Sequence, residues 1–309
     1  MSQVIRNWSD YNAGLKQRGS LTFWIDEDVL SGWVEPELSG KRGESRYYSD
    51  VAIATMATIK SVYGLAGRQC QGFLESIFEL MGLDVAVPDH STLSRRLGQL
   101  TVSLPVVDKA TARHVVVDST GVKVYGEGEW KTRQHGISKR RTWRKLHLGI
   151  DEATGEILVG VVTTNKVHDG TVLKDILDGI EDKIEQVSAD GAYDHRHCYD
   201  EITERQAKPV IPPRKDAVIW QHGNAKAPPH PRDENLRYIR KHGRKKWKRD
   251  ANYHRRSLAE TTMFRFKTIF GGKVRSRKFD NQAVELLLQC AALNRMIQIA
   301  KPDSLMLDD

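Results

Sequence analysis

The sequence predicts an α/β protein in which an all-helical N-terminal region precedes a mixed β-sheet flanked by helices. Three β-rich runs, at residues 114–125, 143–151 and 156–165, predict neighbouring antiparallel strands. Helix and strand patterns alternate after them, which favours a sheet covered on both faces. Residues 49–100 carry helix patterns alone. A length of 309 residues allows one large domain or two ordinary ones.

We expect residues 1–105 to form a helical domain for DNA binding or dimerisation. Its clearest helices are "SDVAIATMATIKSVYG", capped by Ser49, then "GRQCQGFLESIFELMG" and "DHSTLSRRLGQL". The last two are compatible with a helix-turn-helix near residues 67–100, which would direct Arg95 and Arg96 at DNA. A helical hairpin with a packing or dimerisation role fits the same residues equally well.

Residues 106–301 are predicted to form the sheet domain. After the three strands, a helix begins near Thr171, a short strand stops at Asp190, a second helix lies near residues 195–206, and "PVIPPR" adds a strand. A basic loop from Lys215 to Arg249 follows, as part of an insertion at about 215–250. One more helix closes the domain, and residues 302–309 form a tail.

Positive charge is concentrated in two short runs. The chain carries a net charge of +8 and a pI near 9.3, which favours a polyanionic partner. The runs are "KTRQHGISKRRTWRK" at 131–145 and "RYIRKHGRKKWKR" at 237–249. In the second run, Lys245, Lys246 and Trp247 are predicted DNA contacts, because an indole between lysines is hard to bury and is suited to a base step. A solvated charged loop explains either run as well.

Other classes of protein are disfavoured. No stretch approaches the ~20 apolar residues of a membrane span, and the first residues lack the apolar segment of a signal peptide. Cys70, Cys198 and Cys290 are widely spaced and form no CxxC pair, which predicts reduced thiols and no zinc site. We therefore expect the protein to meet its polyanion in the cytoplasm.

The segment "YHRRSLAETTMFRFK" places one glutamate among basic side chains. At about 100° per residue in a helix, Tyr253, Arg256, Glu260 and Lys267 share one narrow stripe. An apolar stripe that includes Phe266 lies beside it and is suited to packing on a core. The pattern predicts a helix that starts at a cap, Asp250 or Asn252, and ends at Gly271-Gly272.

Three carboxylates are predicted to converge at one edge of the sheet. Asp118 follows "VVV" and Asp190 follows the next sheet-forming unit, and sites in such sheets form beyond the carboxyl ends of strands. Glu260 would complete the cluster from its helix. Close carboxylates repel one another unless cations compensate, and magnesium, which prefers carboxylates, water and phosphate oxygens, is the natural choice. Two such ions ~4 Å apart support phosphoryl displacement.

Each of these carboxylates also has a simpler explanation when it is taken alone. Asp118 is compatible with a turn residue and Glu260 with a salt bridge. A further aspartate, Asp169 in "NKVHDG", is predicted to be a helix N-cap, with His168 near the active site as the alternative.

The spacing of Tyr253, Arg256, Glu260 and Lys267 resembles the Y-(2)-R-(3)-E-(6)-K signature of DDE transposases of bacterial insertion sequences. "VVVDSTGVKVYGEGEW" and "SADGAYD" are similar to the first and second aspartate motifs of that family. The resemblance is closest to the insertion sequence five group and covers nearly the full chain.

This resemblance implies an RNase H-like catalytic domain that uses two Mg²⁺ ions, with Mn²⁺ as a substitute, held by Asp118, Asp190 and Glu260. Tyr253, Arg256 and Lys267 would hold the DNA strand near the cut. It also implies binding of terminal inverted repeats, strand cleavage by water, attack of the freed 3′-hydroxyl on target DNA, and a homodimer that joins two ends on the bacterial nucleoid. The alternatives are an RNase H-like nuclease that cuts without joining and an inactive, transposase-derived DNA-binding regulator.

Overall fold

A computed structural model describes residues 2–36, 47–107, 112–124, 142–221 and 228–307. The chain divides into two compact units. One unit comprises Met1–Pro105 and Val274–Asp309, and the other comprises Val106–Lys273. Within the described parts of the chain, no helix is long and apolar enough to cross a membrane.

The first part of the first unit is helical, as predicted. It contains strand β1 (Ser2–Ile5) and helices α1 (Trp8–Gln17), α2 (Leu21–Trp24), α3 (Glu27–Ser31), α4 (Asp50–Val62), α5 (Gly67–Leu80) and α6 (His90–Arg96), followed by a 3₁₀ turn at Leu97–Gln99. The predicted cap of α4 is confirmed, because Ser49 Oγ accepts the Ala52 N–H at 3.2 Å. The cap of α6 is Asp89, whose carboxylate accepts the Ser91 N–H at 2.7 Å.

The connection between α5 and α6 differs from the predicted motif. Residues 81–89 separate the two helices, whereas the turn of a helix-turn-helix has about three to four residues. The helix that would read DNA is also shorter than predicted, because α6 ends at Arg96 and a 3₁₀ turn replaces residues 97–99.

The second unit is built on a mixed sheet, which confirms the predicted class. Its main strands are β2 (Arg113–Val124), β3 (Trp143–Asp151), β4 (Ile157–Thr164), β5 (Ile184–Ser188) and β6 (Lys208–Val210), in the order β4-β3-β2-β5-β6, and one short strand later in the chain also pairs with β2. The β2, β3 and β4 strands are antiparallel neighbours, and β5 and β6 run parallel to β2. This arrangement, with helices on its faces, is consistent with an RNase H-like fold.

Helices and 3₁₀ turns connect the strands and cover the sheet. The helices are α7 (Leu173–Asp178), α8 (Arg196–Glu204), α9 (Pro231–His242), α10 (Arg244–Asp250) and α11 (Ser257–Phe270); the 3₁₀ turns are Asp169–Val172, Gly191–Tyr193 and Tyr253–Arg256. Val115 and Val117 of β2 share a core with α7 and α8, including Leu173 and Tyr199. Because side chains alternate along a strand, Asp118 points to the opposite face, where α11 packs on β2 and β3.

The predicted basic loop from Lys215 to Arg249 contains the two helices α9 and α10 within its described residues, so the prediction of a loop is wrong there. Pro231 occupies the first helical position of α9, and the His230 ring accepts the Arg232 N–H at 3.2 Å. The apolar residues of this segment are few and widely spaced among charged residues, so they give no clear helical pattern. Leu236 and Trp247 are both buried.

The chain ends with elements of which the sequence assigned those up to residue 301 to the sheet domain and the last strand to the tail. Strand β7 (Lys273–Val274) lies where the two units divide, and helix α12 (Phe279–Ile299) and strand β8 (Ser304–Leu307) belong to the first unit. The α12 helix packs on α4, and β8 pairs antiparallel with β1. The grouping therefore places residues 274–301 with the N-terminal helices rather than with the sheet.

Candidate active site

Asp118 lies in the interior of β2, at the point where that strand loses its parallel neighbour. Its carboxylate accepts the Ser119 N–H at 2.8 Å and a hydrogen bond from Arg256 Nη1 at 2.9 Å, and its side chain is 16% exposed. Burial raises the pKa of Asp118, and the nearby carboxylates of Asp190 and Glu260 raise it further against the opposing effect of Arg256 and the Ser119 N–H. Asp190 and Glu260 thus both lie near enough to Asp118 to act on its carboxylate electrostatically.

The register of the parallel strands brings the chain to Asp190 at the same end of the sheet that β2 reaches at Asp118. Val116 is paired with Ser188, and each aspartate lies two positions further along its own chain. The β5 strand stops at Ser188, and the Asp190 carboxylate then accepts the Ala192 N–H at 2.9 Å. This contact caps the 3₁₀ turn at Gly191–Tyr193 and fixes the course of the chain as it leaves the sheet.

Arg256 connects the strand carboxylate with that of the helix. Its Nη1 donates to Asp118 Oδ2 at 2.9 Å, and its Nη2 donates to Glu260 Oε1 at 2.5 Å. The guanidinium also lies 5.9 Å from the ring centroid of Tyr253. Asp118 and Arg256 are 138 positions apart in the sequence, so this hydrogen bond connects distant parts of the chain. Asp118 is mostly buried, whereas the Glu260 side chain is 60% exposed and free to face a ligand.

The helix that carries these residues starts later than predicted. Tyr253–Arg256 form a 3₁₀ turn, and the α-helix begins at Ser257. Neither predicted cap acts as one: Asn252 adopts a left-handed conformation (φ 53°), and Asp250 accepts the Tyr238 hydroxyl at 2.5 Å. The predicted C-terminal end is confirmed, because Gly271 takes the left-handed conformation at φ 79°.

The carboxylates are chemically suited to a hard divalent cation, since all of their ligand atoms would be carboxylate oxygens. Within the described residues, however, no group of three or more His, Cys, Asp or Glu side chains is gathered closely enough to hold a metal ion. In this structure Asp118 and Glu260 instead share the positive charge of Arg256. Glu260 is the more exposed of these two carboxylates.

The remaining residues of the predicted stripe lie differently. Tyr253 is only 9% exposed and packs in a cluster with Trp247 and Val210. Its ring therefore supports the site through packing. Lys267 is exposed in the last turn of α11. It lies about 10 Å along the helix axis from Glu260, given a rise of about 1.5 Å per residue.

Trp247, a predicted DNA contact, is buried, so the expectation that its indole is hard to bury is wrong. The side chain is only 3% exposed, and Nε1 donates to Asn235 Oδ1 at 3.0 Å. The short α10 helix turns this face inward and leaves Lys245 and Lys246 exposed to solvent. The two lysines thus retain the accessibility that a phosphate contact requires.

Arg95 and Arg96 lie in the other unit and differ from each other. Arg95 is exposed, and its Nη2 donates to Thr92 Oγ1 at 3.1 Å. Arg96 is only 12% exposed and pairs with Asp50 at 2.5 Å and with the Tyr48 carbonyl. The Arg96 guanidinium, which was predicted to contact DNA, is therefore already paired within the fold.

The structure assigns Asp169 a different role from the predicted helix cap. Residue His168 occupies the N-cap position of the 3₁₀ turn, with no capping side chain, and Asp169 pairs with Lys145 at 2.9 Å. Lys145 belongs to the predicted basic run at 131–145, of which residues 131–141 lie outside the described residues. Sequence alone gives no indication of this pair, because its members are 24 positions apart.

Comparison with known proteins gives a consistent result. Two family models, both described as a transposase DDE domain, match residues 16–127 and 109–295. The cryo-EM structure of a piggyBac transposase synaptic complex with hairpin DNA is also similar, with 11% sequence identity over 96% of this chain and 77% of that chain and a TM-score of 0.40. Such a score does not define the fold. The second family model spans more than half of the sequence, and the chain therefore belongs to the DDE transposases, metal-dependent enzymes that cleave and transfer DNA.

Proposed function

We propose that this protein is the transposase of a bacterial insertion sequence of the insertion sequence five group. It binds the terminal inverted repeats of its element, cleaves DNA at the element ends and joins the 3′-hydroxyl ends to target DNA. The observation that carries the proposal is the double contact of Arg256 with Asp118 and Glu260, which connects the first aspartate motif with the Y-(2)-R-(3)-E-(6)-K segment. The parallel register that aligns Asp190 with Asp118 supports the same site.

Asp118, Asp190 and Glu260 are the proposed metal ligands, with Mg²⁺ as the ion and Mn²⁺ as a substitute. Two bound ions would activate the attacking oxygen and stabilise the leaving oxygen of the phosphodiester. The hydrogen bond that caps Asp190 and the burial of Asp118 would fix the orientation of two of the ligands, and the exposed Glu260 would be the third.

The DNA-binding residues are proposed by position and charge. Arg256 and Lys267 offer cations to phosphates along α11, and Tyr253 supports Arg256 through its ring. Lys245 and Lys246 extend the positive surface on α10. The partner is double-stranded DNA, and we propose a homodimer because joining two element ends requires two sites in one complex. A chain whose three cysteines are free fits work inside the bacterial cell, on nucleoid DNA.

Magnesium-dependent cleavage and strand joining test the function directly. The substrate is a duplex that carries the terminal repeat of the protein's own element, and Glu260→Gln is compared with wild type. Glu204→Gln, at an exposed glutamate of α8, is the matched control. We expect wild type and Glu204→Gln to cut and join, and Glu260→Gln to bind the repeat without cutting it. Cleavage by Glu260→Gln would remove this residue from the metal site.

The same assay separates the alternatives. A wild-type protein that cuts the repeat and never joins it would be a nuclease of the same fold. A protein that binds the repeat and cuts under neither Mg²⁺ nor Mn²⁺ would be an inactive descendant with a regulatory role.

A further inference from the structure

We propose that the ion pair between Lys145 and Asp169 is a positioning device for the active site, which holds the segment that carries Asp190 against the central strands. The proposal rests on the proposed function in one respect, namely that Asp190 is a metal ligand. It assigns a role to the "NKVHDG" segment, which the proposed chemistry leaves unused.

Lys145 holds the Asp169 segment at two points. Its ammonium donates to Asp169 Oδ1 at 2.9 Å and to the Val167 carbonyl at 2.8 Å. Lys145 lies on β3 directly opposite Gly121 of β2, the strand that carries Asp118. One side chain of the sheet therefore anchors the backbone and the carboxylate of the connection that follows β4.

A buried histidine lies behind this ion pair. The His147 side chain is fully buried on β3, and its Nε2 is 2.8 Å from Thr163 Oγ1 of β4. Its Nδ1 faces Asp169 Oδ1 at 3.8 Å and has no hydrogen-bond partner among the residues that the structure describes. An imidazole packed on both strands limits the positions that the Asp169 carboxylate can take, because any movement inward meets the ring.

The Asp169 turn in turn packs on the turn that follows Asp190. The two 3₁₀ turns, Asp169–Val172 and Gly191–Tyr193, are in contact. Tyr193 is 1% exposed, and burial raises its pKa, with further increases from the carboxylates of Asp169, Asp118 and Asp190. A single phenol thus lies within electrostatic reach of both proposed aspartate ligands and of Asp169.

Close packing extends this contact beyond the turn. A Cβ placed on Gly170 would meet Cys198 Sγ at 3.2 Å and His197 Nε2 at 3.4 Å. On its other side, the Asp190 segment is fastened by the buried pair of Arg232 Nε and Asp194 Oδ1 at 2.6 Å. The segment from Asp190 to Asp194 is therefore held from two directions, and Lys145–Asp169 supplies the one that leads back to the sheet.

Loss of this pair should act on the Asp190 turn as well as on overall stability. The side chains of Lys145 and Asp169 are only 28% and 22% exposed, so a variant that removes one partner leaves the other largely buried and unpaired, which lowers stability. Its loss should also release the Asp190 turn. Outer contacts that orient metal ligands typically change metal affinity by about 10-fold to 100-fold when they are removed.

The test compares Lys145→Met, Lys145→Arg and Asp169→Asn in the full chain. Lys174→Met is the matched control, because Lys174 pairs with Asp178 at the same distance of 2.9 Å on the exposed side of α7. Two properties are measured. The first is hydrogen exchange of the amides at residues 190–195. The second is the binding of Mn²⁺ alone, monitored as the decrease in the electron paramagnetic resonance signal of the free ion. Thermal unfolding shows that each variant is folded at the assay temperature.

We expect faster amide exchange at residues 190–195 and Mn²⁺ binding weakened by roughly tenfold or more in Lys145→Met and Asp169→Asn. Lys145→Arg, which can keep the ion pair, and Lys174→Met should stay within about threefold of wild type in metal affinity. Wild-type exchange and wild-type Mn²⁺ binding in folded Lys145→Met would overturn the proposal.

Failure of the proposed function gives a different result. If wild type binds no Mn²⁺, the metal site is not where we place it, yet the exchange measurement still decides whether Lys145 holds the Asp190 turn. Gly170→Ala offers a second perturbation that changes no charge, since its Cβ would press on His197 and Cys198, which follow the Asp190 segment. It should also speed exchange at residues 190–195, and unchanged exchange there would contradict the coupling between the Asp169 turn and that segment.

Discussion

At the scale of single residues, the site depends on the fork of one guanidinium. The sequence could predict that Arg256 and Glu260 meet, because residues four apart lie on one face of a helix. It could not predict the 2.9 Å contact with Asp118, which depends on how the sheet and α11 pack. Asp190 was predictable from its place after a strand, and the structure adds the cap to Ala192 N–H that orients it.

Arg256→Lys tests whether the fork itself is required. Lysine keeps the positive charge but offers a single ammonium, which cannot reproduce two parallel contacts to different carboxylates. We expect DNA affinity to change by less than about threefold and cleavage to fall by about a hundredfold, because small misplacements of reacting groups carry penalties of that size. Gel-shift and cleavage assays measure the two properties. Arg265→Lys, later in the same helix, is the control, and wild-type cleavage by Arg256→Lys would contradict the expectation.

At the scale of elements, the strands were easier to predict than the basic helices. The runs around Asp118, Leu148 and Val161 have β-branched or apolar character along most of their length, and all three strands lie close to their predicted bounds. The helices α9 and α10 escaped prediction because lysine and arginine dominate their sequence. Trp247 shows why such helices form: one large buried side chain can anchor a helix to the core while its other faces remain charged.

Substitutions in α10 should separate folding from DNA binding. Trp247→Ala removes a buried indole and its hydrogen bond to Asn235, and we expect it to lower the free energy of unfolding by about 3–5 kcal/mol. The double variant Lys245→Ala/Lys246→Ala should leave stability within about 0.5 kcal/mol. It should weaken DNA binding and reduce the slope of log affinity against log salt by about one per lysine. Denaturant unfolding and salt-dependent binding measure these effects, and an unchanged salt slope would show that the lysines do not contact phosphate.

At the scale of the whole molecule, residues 274–301 were expected in the sheet domain, with no helix predicted there, whereas α12 groups with the N-terminal helices. The pattern of α12 is helical in any context, so its existence was within reach. Its partners were not, because they are set by contacts between residues nearly 200 positions apart, such as the hydrogen bond from Asn281 Nδ2 to the Ser94 carbonyl at 2.7 Å. The unit that contains the N-terminal helices is thus discontinuous in sequence.

This discontinuity predicts how fragments of the protein behave. Leu286, Cys290 and Leu293 of α12 are buried, and α12 packs on α4 and on the turn at Leu97–Gln99. Burying each leucine contributes about 1.5–3 kcal/mol, so losing the helix removes a large part of the 5–15 kcal/mol that typically stabilises a domain. We expect residues 1–105 alone to lack a cooperative thermal transition by circular dichroism, and addition of the 274–309 peptide to restore one. Residues 106–273, which contain the complete sheet and its own core, should fold without the peptide. A cooperative transition of residues 1–105 on their own would show that α12 is dispensable for that unit and that the division at Pro105 suggested by the sequence is sufficient.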